Sequence, residues 1–98
     1  MDGQIMFKKI YRQVEDEYHL LGARGSSGQR AILIDMISKL DTRRDEINDE
    51  TNGQDVIDSV MTEWQQRLED MPGPRFLTER YMIKDLMTFV ETLKSPVT

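Results

Sequence analysis

The acidic stretch 45–58 is the part of the sequence whose residue types come closest to a recognisable chemistry, the binding of calcium. We place Gly53 at the fixed glycine of an EF-hand loop. The first three ligand positions then fall on Asn48, Glu50 and Asn52. The last ligand position needs a bidentate glutamate, but it falls on Ser59. The spacing therefore indicates a solvated acidic surface rather than a calcium loop.

His19 is the only histidine, and it lies in a predicted helix. In histidine phosphotransfer domains, which are helical bundles, an exposed helical histidine is phosphorylated, and the chain resembles them in this one respect. Those domains carry a lysine three residues after the histidine and a glycine four residues after it. This sequence has Gly22 and Ala23 at those positions. We therefore expect a partly exposed structural histidine, and phosphotransfer through His19 is the least favoured functional hypothesis.

The glycine-rich stretch Gly22–Gly28 could hold an anion at the start of the next helix. A phosphate-binding loop follows a strand, and its second glycine is followed by lysine and a hydroxyl residue. Here the preceding segment is helical and Gln29 follows the second glycine. Arg24 and Arg30 are the nearby cations. The pattern favours an ordinary interhelical loop with a good helix cap.

The remaining residues give no set that points to catalysis. Paired carboxylates need a pocket that separates their pKa values, whereas these carboxylates lie along polar helix faces. No glutamate precedes His19 by three residues, the spacing that di-metal bundles use. The absence of cysteine removes thiolate zinc sites and cysteine nucleophiles. We expect a non-enzymatic protein without metal or cofactor, and the cysteine-free composition suits the cytoplasm.

Methionine is abundant, with seven in 98 residues, and four lie on the last two predicted helices together with aromatic residues. These are Met61, Met71, Met82 and Met87, with Trp64 and Phe89. Methionine fills irregular cores, and it also suits surfaces that bind other helices. Ordinary core packing is one interpretation. The other is an apolar contact face for a partner, formed by Met61, Trp64 and Met87.

The net charge of −5 is concentrated in residues 41–58, which hold seven carboxylates and two arginines. A negative protein is poorly suited to nucleic acid or to anionic membranes. No apolar run approaches the roughly 18 residues of a membrane span, and the first four residues show no secretion signal. The local excess favours a partner protein with a basic surface. The predicted contacts are Asp45, Glu46, Asp49, Glu50 and Asp55.

These residues must be positioned by helices, because apolar residues recur every three or four positions between clear breaks. The four series are Phe7, Tyr11, Val14, Tyr18 and Leu21; Leu33, Ile37, Leu40 and Ile47; Ile57, Met61, Trp64, Leu68 and Met71; and Ile83, Leu86, Val90 and Leu93. The breaks are residues 22–28, 51–53, 71–74 and 95–96. The pattern predicts an all-α fold, an antiparallel bundle of three or four amphipathic helices in one domain over 1–98.

Helix-cap signals coincide with two of these breaks. Ser26 with Gln29, and Thr51 with Gln54, fit the capping box. Gly22 and Gly53 suit the left-handed position after a helix end.

The second predicted helix, 27–51, divides into two unlike halves. Its first half is apolar on most sides, and we expect it to be central. In residues 41–51 only Ile47 can anchor the chain, and several acidic residues lie four positions apart. Like charges at this spacing destabilise a helix. We predict that 41–51 is the least stable helical segment, with a break near Asp41 and Thr42.

The leading hypothesis is a small protein–protein interaction module, such as a regulator, inhibitor, adaptor or assembly chaperone. A homodimer that shares a core is a second form of the same hypothesis. The alternative class is a nucleic-acid-associated protein or a nucleic-acid mimic. Nucleic-acid binding would need five cations to lie together: Lys8, Lys9, Arg12, Arg24 and Arg30.

Overall fold

The structure, a computed structural model, describes residues 2–22, 24–71 and 74–94. It contains helices α1 (Gly3–Leu21), α2 (Ser27–Arg44), α3 (Gly53–Glu69) and α4 (Leu77–Thr92), with a short 3₁₀ turn over Pro74–Phe76. No strand occurs in the described ranges, and the four helices pack against one another. The all-α bundle predicted from the apolar periodicity is confirmed.

The helix boundaries follow local hydrogen bonding. The predicted capping box at Ser26 and Gln29 is present, with both reciprocal bonds formed. The box predicted at Thr51 is wrong, because the side chain of Asn52 accepts from the N–H of Gln54 and so caps α3. The last predicted break, at 95–96, lies outside the described residues.

Of the two glycines predicted to end a helix in the left-handed region, one does so. Gly22 follows α1 with a φ of 44°. The prediction for Gly53 is wrong, because Gly53 is the first residue of α3 and its φ is not positive.

The core is formed by one face of each helix, and α1 and α4 each pack against all three of the other helices. The first half of α2, which we expected to be central, supplies buried Leu33, Met36 and Leu40 to the core but leaves Ile34 53 % exposed. The largest fully buried side chains are Trp64, Ile10, Leu33, Met36, Ile57, Ile83, Val14, Val60 and Val90.

Two polar bridges join α2 to α3, whose backbones do not approach each other within the described residues. Arg43 binds Glu63 and Ser59, and Arg67 binds Asp35. These long side chains span the separation, so ion pairs join α2 and α3 in addition to the core that both helices share.

The second half of the chain repeats the first at a spacing of 50 residues. Helices α1 and α3 begin at Gly3 and Gly53, and α2 and α4 begin at Ser27 and Leu77. The buried positions recur in six pairs at the same spacing: Phe7 and Ile57, Ile10 and Val60, Val14 and Trp64, Leu33 and Ile83, Met36 and Leu86, Leu40 and Val90. The bundle is thus two copies of one helical hairpin, a relationship that our sequence analysis did not predict.

Candidate protein-interaction surfaces

The acidic segment is an ordered loop rather than a helix. α2 continues past the predicted break near Asp41 and Thr42 but ends at Arg44, and residues 45–52 form turns. The prediction of a helical segment over 45–51 is therefore wrong. The carboxylates that oppose the helix dipole at this end make continuation unfavourable.

Local hydrogen bonds and one apolar anchor hold this loop. The N–H of Asn48 donates to the Thr51 hydroxyl at 2.9 Å, and the N–H of Glu50 donates to the Asn48 side-chain oxygen at 2.8 Å. Ile47 is half-buried against the core, as predicted. These contacts give the loop a defined shape.

The end of the loop is fixed to the first turn of α1. The N–H of Gly3 donates to the carbonyl of Thr51 at 3.0 Å, and the N–H of Gly53 donates to the Asp2 carboxylate at 2.7 Å. A Cβ at Gly3 would lie 2.4 Å from the Thr51 carbonyl oxygen. The starts of α1 and α3 approach closely here because glycine has no side chain.

The five predicted acidic contacts are all exposed, and we call them the acidic surface: Asp45, Glu46, Asp49, Glu50 and Asp55. The first four lie on the loop, and Asp55 lies in the first turn of α3. The sequence has no lysine or arginine between Arg44 and Arg67. This end of the bundle therefore presents a local concentration of negative charge.

The predicted apolar contact face is not assembled in this structure. Trp64 is 1 % exposed and belongs to the core, so its assignment to an exposed contact face is corrected. Met61 and Met87 are half-buried and pack against the core. Burying the indole is strongly favourable, which explains why it faces inward.

The five cations of the nucleic-acid hypothesis do not form one patch. Lys8, Lys9 and Arg12 lie in the first half of α1, whereas Arg24 and Arg30 lie beyond its last residue. At 1.5 Å of rise per residue, about 14 Å of helix separates Arg12 from the end of α1. The juxtaposition that this hypothesis required is absent among these described residues.

A cleft of about 730 Å³ along α1 is a site that sequence reasoning missed. It is lined by Gln4, Phe7, Lys8, Tyr11, Arg12, Glu15, Arg44 and Ile47. The Arg44 guanidinium lies over the ring of Tyr11, 4.7 Å from its centroid, and 5.8 Å from that of Phe7. The four-residue spacing of Lys8 and Arg12 was the available signal, but Arg44 joins them only through the tertiary fold.

The cleft affects the ionisation of Tyr11. The pKa of its hydroxyl is raised above 10.0, chiefly because burial disfavours the phenolate. The hydrogen-bonded carboxylate of Asp41 raises the pKa further, and Arg44 opposes this shift. Tyr11 therefore stays neutral, as a hydrogen-bonding group, across the physiological range.

The other candidate residues have ordinary structural environments. His19 is exposed and its ring contacts that of Tyr18 edge-on at 5.8 Å. Arg30 donates to the carbonyls of Gly22 and Gly25, so its guanidinium is already occupied beside the proposed anion loop. Within the described ranges, no group of three or more histidine or acidic residues could hold a metal ion.

Comparisons with protein-family models, curated proteins and solved structures find no match to this chain. Across the described residues, none of the helices combines the length and the apolar character needed to cross a membrane.

Proposed function

We propose that this protein is a small, non-enzymatic interaction module whose acidic surface binds a basic surface on another protein. The observation that carries the proposal is the display of five exposed carboxylates at one end of the bundle. Regulators, inhibitors, adaptors and assembly chaperones belong to this class.

The anchoring of the loop supports the proposal. Disordered acidic chains lose conformational entropy when they bind. This loop is anchored by Ile47, Asn48 and Thr51, and it is joined to α1 through Gly3. A prepositioned set of charges loses less entropy on association and accelerates encounter with an oppositely charged partner.

Half-buried Met61 and Met87 supply a smaller apolar component of the proposed contact. Their thioethers can adjust to a partner without disrupting the core. The proposal also includes a cytoplasmic location, which rests on the cysteine-free composition.

Charge reversal of the acidic surface tests the proposal. The triple variant Asp45→Lys, Glu46→Lys and Glu50→Lys is compared with the unmodified protein by quantitative affinity capture from the source cells. We expect partners with basic surfaces to be lost from the variant, and to be lost from the unmodified protein at high salt.

A matched control reverses three exposed carboxylates elsewhere: Asp16→Lys, Glu69→Lys and Asp85→Lys. It has the same net charge as the test variant, so partners retained by the control and lost by the test variant depend on the acidic surface. Retention of every partner by the test variant would overturn the proposal.

A further inference from the structure

The cleft along α1 combines three cations with an aromatic floor. Lys8 and Arg12 are exposed on one side, and Arg44 forms the other side with its guanidinium stacked on Tyr11. Glu15 is the only carboxylate among the lining residues. Asp41 adjoins the cleft, since it is ion-paired to Arg44 at 3.4 Å and hydrogen-bonded to Tyr11. The positive side of the groove is therefore formed by Lys8 and Arg12, and this side suits an acidic occupant.

The repeat of the hairpin indicates that these cations are not needed for folding. Position 8 is lysine but its equivalent is Asp58, and Arg12 corresponds to Thr62. α3 is nevertheless the same kind of helix, with its buried positions at the equivalent places. Arg44 corresponds to Lys94, so the cations that belong to the first hairpin alone are Lys8 and Arg12, and we attribute this pair to binding.

The acidic surface begins immediately beside this groove. Arg44 and Ile47 line the cleft, and Asp45 and Glu46 lie between them in the chain. The positive groove and the acidic surface are therefore adjacent parts of one surface patch. A two-fold dimer needs a self-complementary patch of this kind, because each copy presents both halves to the other.

We propose that the cleft binds the acidic loop, residues 45–50, of a second copy of this chain, and that the exchange is reciprocal. In this arrangement Glu46 and Glu50 of each copy face Lys8 and Arg12 of the other. The inference rests on the proposed function, since it names the partner of the acidic surface. Reciprocity doubles the number of complementary charge contacts across the interface.

Sedimentation equilibrium with three proteins tests the dimer. The cleft variant carries Lys8→Glu and Arg12→Glu, and the loop variant carries Glu46→Lys and Glu50→Lys. We expect the unmodified protein to dimerise, and each variant alone to dimerise about tenfold or more weakly. Circular dichroism verifies that each variant remains helical.

Mixing the two variants gives the decisive result. The cleft variant offers an acidic loop to the intact cleft of its partner, and the loop variant offers a basic loop to the reversed cleft. Both contacts are complementary, so we expect the mixture to form a heterodimer of near-original affinity. The control Lys39→Glu and Lys84→Glu, exposed cations elsewhere, should leave dimerisation unchanged.

A monomer at millimolar concentration would overturn the inference, and so would a dimer that both reversals leave unchanged. Neither result would contradict the proposed function. That proposal fails only if the acidic surface can be reversed in charge without loss of any captured partner.

Discussion

Arg30 and Arg80 make equivalent contacts in the two hairpins. Arg30 donates to the carbonyls of Gly22 and Gly25, at 3.1 and 2.5 Å, in the connection between α1 and α2. Arg80 donates to the carbonyls of Leu68 and Met71 where α3 ends. In each hairpin an arginine from the first turn of one helix donates to backbone carbonyls at or just beyond the end of the preceding helix, where helical N–H donors run out.

Loss of either arginine should destabilise the bundle. We expect Arg80→Met to lower the free energy of unfolding by about 1–3 kcal/mol, because charge-assisted hydrogen bonds to backbone carbonyls are lost. Urea unfolding followed by circular dichroism measures this change. The matched control is Arg24→Met, an exposed arginine, with an expected change below about 0.5 kcal/mol. Equal stabilities of the two variants would contradict the assigned role of Arg80.

Two glycine substitutions should have opposite effects. Gly3→Ala places a Cβ against the Thr51 carbonyl, a backbone atom, and should cost about 1–3 kcal/mol of stability. Gly28→Ala meets the flexible Glu79 side chain at 3.4 Å and the Ser26 hydroxyl at 3.8 Å, both ordinary contacts, and should stabilise α2 by about 0.5–1 kcal/mol. Thermal and urea unfolding measure whether each substitution raises or lowers the free energy of unfolding. A stabilising Gly3→Ala would show that the starts of α1 and α3 are not in close contact.

The fluorescence of Trp64 should report a buried indole. It is the only tryptophan, so emission can be assigned without substitution. We expect blue-shifted emission that iodide quenches weakly, and a red shift on unfolding in urea. Strong quenching in the folded protein would show that Trp64 is exposed and would support its predicted place on a contact surface.

The ionisation of Tyr11 should make stability fall at high pH. Because its pKa is raised on folding, its contribution is fully present below pH 10.0 and is lost as pH rises through the folded-state value. Absorbance titration should show one of the three tyrosines ionising late, and Tyr11→Phe should remove that component. A late component that survives the substitution would assign the shift to another tyrosine.

Periodicity predicted the helices because their buried faces are continuous in sequence. Val14, Leu33 and Val90 are buried where the spacing placed them. Capping chemistry predicted the start of α3 less well, because Thr51 and Asn52 are both good caps. The Thr51 hydroxyl is occupied by the N–H of Asn48, and Asp2 and Gly3 bind the backbone on either side of Asn52.

The acidic surface was visible in the sequence because its residues are adjacent. The cleft along α1 was not visible in the sequence, because Arg44 reaches Tyr11 only after α2 folds back along α1. Trp64 was misassigned because tryptophan suits both interfaces and cores, and its spacing does not separate the two. The repeat was obscured because none of the six pairs of core residues is identical, although all are apolar.

The closeness of the first turn of α1 and the last turn of α4 has a consequence for chain connectivity. Asp2 and Leu93 line the same small cleft, beside Gly53. A short linker between these ends, with the chain opened within residues 45–52, would reverse the order of the hairpins and keep the described interhelical contacts. We therefore expect a circularly permuted chain to fold into the same bundle, with the covalent order of the two hairpins secondary to their packing.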